Sequence, residues 1–342
     1  MVGKTIMPKR GQCGFAHFLF VPILLLALVC GQGALAGQTD HQAGVVQAIH
    51  IDTPIRIDGR LTESAWRKAM PVTHFRQREP REGEPATERT EVRILFDNQN
   101  LYLGVRCFDA QPQLIIAKEM ETDGRLSLDD NFTVILDTYH DYRSGFYFQI
   151  NPNAAKLDAQ LGDGGDSFNR NWNGIWDVRA RITPEGWEAE IILPFKTLRF
   201  SEKETQTWGI NFRRFIRRKN EEDLWQAWHR NQGIRQLSAE GTLLLPWPVK
   251  RGKNLELKPY MTSGFQAGNP AYGYRNDQQW KTGLDAKYAI TPTLTADLTL
   301  HTDFAQVEAD RARINLTRFS LFFPEKRDFF LESESNFSFG AS

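Results

Sequence analysis

From residue 55 to residue 229 the chain repeats one device: a short run of alternating apolar and polar residues, a turn signal, and another such run. Residues 91–96 and 101–108 flank Asp97-Asn98-Gln99-Asn100, and residues 131–137 and 145–150 flank the stretch from Thr138 to Arg143. Residues 178–182 and 187–193 flank Thr183-Pro184-Glu185-Gly186, and residues 208–216 precede 224–229. A period of two sends successive side chains to opposite faces of a strand, and no long helical period intervenes. The pattern predicts four hairpins and an all-β chain, a two-sheet antiparallel β-sandwich of jelly-roll type. Nine Trp and 23 Phe among 26 Gly fit that class, since aromatic residues favour pleated surfaces.

Smaller signals fill the gaps. Ile55-Arg56-Ile57 reads as a short strand closed by an Asp58-Gly59 turn, and Thr62 as the cap of a short helix whose Trp66 staples it to a sheet. Residues 76–90, rich in Arg, Glu and Pro, read as a polar loop.

The first 36 residues read as an export signal. Lys4, Lys9 and Arg10 precede an apolar run over 18–29, and Ala34-Leu35-Ala36 offers a peptidase site before Gly37. The run is short for a span of ~20 residues. Beyond that signal only Cys107 remains, so no intramolecular disulfide can form, and its place on an alternating strand predicts a small buried hydrophobe. Lys plus Arg (42) equals Asp plus Glu (42), which leaves no basic field for nucleic acid. The run Arg213-Arg214 and Arg217-Arg218-Lys219 is answered by Glu221-Glu222-Asp223, as in a solvated strand pair.

The character changes at Pro246-Trp247-Pro248. Trp280, Thr282, Leu284, Ala286, Tyr288 and Ile290 alternate with a more polar set, and after Thr291-Pro292-Thr293 the alternation resumes from Leu294 to His301. An outer-membrane hairpin and a soluble sandwich hairpin both fit this pattern. The expected division is a signal at 1–36, a sandwich at 45–247 and a second part at 250–342.

Several stretches resemble the family 9-like carbohydrate-binding modules, a DOMON-like sandwich family: Ile57-Asp58-Gly59 with Trp66, Asp129-Asp130-Asn131-Phe132, Leu136-Asp137, and Gly186-Trp187-Glu188 with Leu193-Pro194-Phe195. The second part is similar to the uncharacterised outer-membrane barrel domain that often follows such modules. That likeness rests on Asp303-Phe304-Ala305-Gln306-Val307-Glu308 and Phe322-Phe323-Pro324-Glu325-Lys326. The resemblance implies a non-catalytic carbohydrate-binding module of an exported, outer-membrane-associated protein that takes part in polysaccharide binding or catabolism. Two alternatives accompany it: a plug or structural domain of a transport barrel, and part of a glycoside hydrolase. Members of that kind are longer, so further barrel strands are expected beyond those in this chain, since an open lipid-facing edge strands its polar groups. Sugar-binding members commonly place Glu where this chain has Thr133, and their aromatic platform before the paired acids is missing at 124–128.

A sugar site needs flat rings beside hydroxyl partners. The richest local supply is Arg170, Asn171, Trp172, Asn173 and Trp176, and Arg143 and Trp228 complete the candidate ligand set. Trp225 and Trp228 fall on opposite faces, so at most one meets a ligand. Asp129 and Asp130, adjacent on one strand, point apart and make a poor glycosidic pair. Asp158, Asp163 and Asp166 among Gly162, Gly164 and Gly165 admit calcium, and otherwise no cofactor is expected. His74, His140 and His229 are scattered, and nothing flanks Met70 or Met120 as a haem ligand would require.

Overall fold

A computed structural model describes residues 44–250, 255–266, 277–290 and 295–301. The larger sheet is built on β1 (Val45–Gln47), β14 (Gly241–Leu245), β12 (Gln206–Ile216), β6 (Asn131–Asp137), β7 (Gly145–Ile150), β8 (Lys156–Gly162) and β9 (Ser167–Asn169), in that spatial order. From β12 it extends through β13 (Glu221–Leu224) to β3 (Arg76–Glu79). The smaller sheet runs β10 (Asp177–Thr183), β11 (Gly186–Pro194), β5 (Asn100–Phe108), β4 (Thr90–Phe96) and β2 (Ile49–His50). Pairing is antiparallel except where β1 meets β14 and β2 meets β4.

Alternation decides the layers. Phe132, Val134 and Leu136 of β6 and Phe212 of β12 meet Val105 and Cys107 of β5 and Trp187, Ala189 and Ile191 of β11 in one buried core. Cys107 is fully buried, and that burial pushes its thiol up to about 12. The outward residues of the larger sheet do not reach water either, so every residue of β6 is buried. Ile135, Tyr147, Leu157 and Ala159 are covered by Leu224, Ala227, Ile234 and Leu237, which belong to β13 and the segment after it. A third cluster sits on the smaller sheet, where Trp66 of α1 (Ser64–Lys68) packs with Tyr102 and Leu95. Gly104 opens the space: a Cβ there would stand 2.8 Å from the Trp66 ring. The Trp66 indole N–H donates to Glu190 Oε1 at 3.1 Å, and the same carboxylate accepts the amides of Asp58 and Gly59.

Three of the four expected hairpins form with their expected arms, β4–β5, β6–β7 and β10–β11, and the fourth forms between β12 and β13 with its second arm shifted. After β12 a 3₁₀ turn over Arg217–Lys219 and a left-handed Asn220 bring the chain back early, so β13 ends at Leu224 and residues 225–229 are not strand. The stretch expected as a polar loop holds β3, which pairs with β13. No strand forms at 55–57, and the helix cap is Glu63, without a side-chain bond, in place of Thr62. A five-residue helix is too short to rest on capping, so Trp66 burial holds it. The basic run is not simply solvated. Arg214, 1% exposed, reaches across the sandwich to the carbonyls of Arg89 and Phe108, and Arg218 pairs with Asp109 through both Nη atoms.

β15 (Leu255–Gln266), β16 (Asp277–Ala289) and β17 (Thr295–Leu300) form a separate three-stranded antiparallel sheet that does not close on itself. Among the described residues no helix is long and apolar enough to cross a membrane, which does not bear on crossing by strands. The export signal at 1–36 and the stretches from Asp303 and Phe322 lie outside the described residues.

Candidate functional site

The structure separates the expected ligand set by layers. Trp172 and Trp176 are each 5% exposed and lie between the sheets, which corrects their expected place in an open loop. Trp172 packs on Phe146 with ring centroids 5.1 Å apart, and Trp176 on Phe148 at 5.1 Å. The physical reason is Asp158, which faces the core from β8. Its Oδ2 accepts the Trp176 indole N–H at 3.1 Å and the Gly174 amide at 2.6 Å, so a buried acceptor draws the loop inward. Burial pushes the Asp158 carboxyl up to about 6. Lys156 adds a bond from Nζ to the Trp176 carbonyl at 2.6 Å.

Arg170, Asn171 and Asn173 remain exposed around these two indoles. Arg170 donates to the Asp123 carbonyl at 2.8 Å, and the Asn171 amide to Asn169 Oδ1 at 3.0 Å. Arg143 is exposed in the β6–β7 turn, where its amide donates to Asp141 Oδ1 at 2.9 Å. Asp158, bonded inward, does not join Asp163 and Asp166 as a cation site: among the described residues no group of three His, Cys, Asp or Glu is placed to hold a metal. Asp129 and Asp130 serve as fasteners in different directions. Asp129 accepts the amides of Lys118 and Glu119, and Asp130 accepts that of Arg217.

Trp228 lies on the other side of the larger sheet, half-buried against the cluster that covers it, whereas Trp225 packs on Phe212 and the central core. The two indoles therefore do face opposite ways. Trp228 marks the junction of the turn after β3 with the segment after β13. Arg78 donates from Nε to the Gln232 carbonyl at 2.7 Å and from Nη2 to that of Arg230 at 3.0 Å. Arg230 returns a bond to the Pro80 carbonyl at 2.7 Å, and His229 Nδ1 lies 2.9 Å from Glu82 Oε1. Gly83, at φ +79°, makes the turn tight enough for a Cβ there to stand 3.8 Å from the Trp228 ring. The Arg76 guanidinium lies 5.6 Å from the centre of that ring, and the His229 ring 4.1 Å.

Beneath this junction runs a polar row set by register, Arg213 opposite Thr133 opposite Gln149. Arg213 Nη2 and Gln149 Nε2 share Asn131 Oδ1 at 3.1 and 2.8 Å, and Nη2 also lies 3.3 Å from Thr133 Oγ1. Glu222 joins the row to the junction, 3.5 Å from Arg213 and 2.8 Å from Arg78. The buried Nε of Arg213 has no hydrogen-bond partner. The row fixes the floor, and the reachable groups above it are Trp228, His229, Arg76, Arg230, Glu79 and Glu82. His229 holds the Glu82 carboxyl below its ordinary range by hydrogen bonding, so it is an acceptor at neutral pH. An aromatic face, two guanidiniums and two carboxylates can meet the C–H surface and the hydroxyls of a sugar ring.

Sequence reasoning found Trp228 and missed its partners. Arg76, Arg78 and Glu82 fell inside a stretch read as loop, and Arg76-Gln77-Arg78-Glu79, polar throughout, carries no alternation that would mark the strand. His229 was read only as one of three scattered histidines without metal-ligand spacing.

Residues 252–341 match the model of a family described as a domain of unknown function (DUF5916). Among curated proteins none matches. Among solved structures, one from Bacteroides uniformis ATCC 8492, named as a candidate carbohydrate-binding protein, is similar at TM-score 0.50 and 12% identity, over 59% of this chain and 99% of that one. A family 9 carbohydrate binding module from Caldicellulosiruptor kristjanssonii in complex with glucose is similar at TM-score 0.44 and 14% identity, over 59% of this chain and 95% of that one. The same organism's module in complex with cellotriose gives TM-score 0.43 at 14% identity, over 61% and 97%. At 12% identity the Bacteroides likeness shows a shared sandwich fold.

Proposed function

We propose that residues 45–247 are a non-catalytic glycan-binding module whose platform is Trp228. The observation that carries this reading is the junction itself: a half-buried indole with Arg76 and His229 against it and Glu82 and Arg230 at its rim. Sugar recognition needs an apolar face beside donors and acceptors, and the Arg213–Asn131–Gln149 row is tied to the junction through Glu222 and Arg78. Asp129 and Asp130 are committed to backbone amides in different directions and do not make the facing pair that glycosidic cleavage needs. The test is an oligosaccharide array probed with the full chain and with its Arg76→Ala form. Binding that drops on substitution supports the reading, and binding unchanged in a folded Arg76→Ala protein contradicts it.

The second element of the proposal is that the chain is exported through residues 1–36 and that residues 250–342 contribute strands to an outer-membrane barrel. One face of the three-stranded sheet supports this. Leu255, Leu257 and Met261 of β15, Trp280 and Tyr288 of β16, and Leu298 and Leu300 of β17 are exposed, and register puts them on a common face. Lys258 opposite Asp285 and Thr262 opposite Lys281 occupy the other face. Trp280 and Tyr288 lie eight steps apart, about 26 Å along the strand at ~3.3 Å each, which at the ~40° tilt of such barrels is about 20 Å of height, within the ~25 Å apolar band that aromatic girdles bracket. Three strands cannot satisfy two edges in lipid, so the barrel needs further strands. Protease accessibility of the chain in intact and ruptured cells, with fractionation of the envelope, tests this element. Recovery in the cytosol with residues 1–36 still attached contradicts it.

A further inference from the structure

A second concavity lies on the outer face of the smaller sheet, a cleft of about 300 Å³ lined by Leu61, Thr62, Arg106, Arg181, Thr183, Pro184, Glu185 and Glu188. Its floor is a cross-strand row, Arg181 on β10 opposite Glu188 on β11 opposite Arg106 on β5. Glu188 is almost wholly buried and its two oxygens are divided between the two arginines. Oε1 accepts Arg181 Nε at 2.9 Å and Nη2 at 2.5 Å, and Oε2 accepts Arg106 Nη2 at 3.2 Å and Nε at 3.4 Å. Both arginine side chains are about a third exposed, at 34% for Arg106 and 39% for Arg181. Among the described residues, Nη1 of each has no protein partner.

The chemistry of the cleft follows from that division. Its buried acceptor is used up, while its open groups are the outer edges of two guanidiniums and the hydroxyls of Thr62 and Thr183. The floor is thus rich in donors: within the cleft two guanidiniums share one buried carboxylate, and Glu91, opposite Arg106 on β4, is taken by Arg89 and Arg93. Planar guanidinium edges match the two oxygens of a carboxylate. At the mouth stands exposed Glu185, which repels a bare anion and accepts from hydroxyl groups. A ligand that satisfies both floor and mouth carries a carboxylate at one end and hydroxyl donors at the other. The volume lies at the lower limit of small-molecule pockets, ~300–1,000 Å³, which suits one sugar ring. We propose that this cleft binds a carboxylate-bearing sugar, a hexuronate, with its carboxylate between Arg106 and Arg181 and its ring hydroxyls toward Glu185. This site is separate from the Trp228 platform, on the opposite sheet.

The test is calorimetric titration of the full chain with D-glucuronate and D-galacturonate, with glucose and acetate as parallel arms. The expected result is saturable binding of a uronate, about tenfold or more tighter than either glucose, which lacks the carboxylate, or acetate, which lacks the ring. Arg181→Gln removes one guanidinium, and Thr62→Trp fills the cleft from an exposed position without changing any charge. Each substitution is expected to weaken uronate binding about tenfold or more in a protein whose circular dichroism is unchanged. No uronate binding, equal binding of glucose or acetate, or binding that survives either substitution in a folded protein overturns the proposal. Should Arg181→Gln fail to fold, the Thr62→Trp form decides.

Discussion

The indole N–H of Trp176 donates to Asp158 Oδ2 at 3.1 Å inside the sandwich, so a carboxyl group stands where the core would otherwise be apolar. Burial raises that carboxyl from an ordinary value of 3.8 to about 6. A folded-state value above the unfolded one means that the native protein holds the proton more tightly. The cost of ionising it is therefore absent below pH ~4 and fully present above pH ~6, and at ~1.36 kcal/mol per unit it amounts to as much as about 3 kcal/mol. Asp158→Asn keeps an acceptor for Trp176 and Gly174 and removes the charge. Urea unfolding is expected to show the variant gaining on the parent by about 2–3 kcal/mol between pH 4 and pH 7. A difference independent of pH would contradict this.

Trp66 carries two separable contributions, ring burial over Gly104 and the bond to Glu190. Trp66→Phe keeps most of the ring and leaves a buried carboxylate short of one donor, for an expected loss of about 1–3 kcal/mol. Trp66→Ala also empties the space and is expected to cost about 3–5 kcal/mol. Equal losses in denaturant unfolding would show that ring burial has no separate weight, and no loss in Trp66→Phe would show the same of the hydrogen bond.

Gly186 closes the β10–β11 turn at φ +139°, and a Cβ there would lie 2.0 Å from the Cys107 carbonyl oxygen. Backbone cannot yield as a flexible side chain does. Gly186→Ala is expected to cost about 3 kcal/mol or more, or to prevent folding, read as lost soluble yield or a lowered Tm.

Cys107 sits fully buried in the core with its thiol pushed up to about 12. An aromatic disulfide reagent at pH 8 is expected to leave it unmodified in native protein and to label it stoichiometrically in urea. Rapid labelling of the folded chain would place this part of β5 at the surface.

Most of the sandwich was legible because its hairpins declare themselves locally. Asp97-Asn98-Gln99-Asn100 and Thr183-Pro184-Glu185-Gly186 fix both turn and register from neighbouring residues, and the structure pairs their strands accordingly. The pairing of β3 with β13 is not local. It joins strands far apart in sequence, and Arg78 and Glu222 look like solvated charges until the fold brings them to 2.8 Å. The same limit applied to the aromatic residues. A loop segment with two Trp among polar neighbours gives no hint that Asp158, on a strand that alternation did not pick out, turns both indoles inward. Trp228 was found, while Arg76 and Glu82 came to it only through tertiary contact.

Of all these claims, glycan binding at Trp228 is the central one, and its most direct measurement is intrinsic fluorescence of the full chain titrated with a panel of xylan, cellulose and chitin oligosaccharides. With Trp228 as platform, at least one oligosaccharide is expected to shift the emission saturably, and Trp228→Ala is expected to abolish both the shift and the binding while circular dichroism stays unchanged. Silence across the panel from a folded protein, or a shift that survives in Trp228→Ala, would contradict the account.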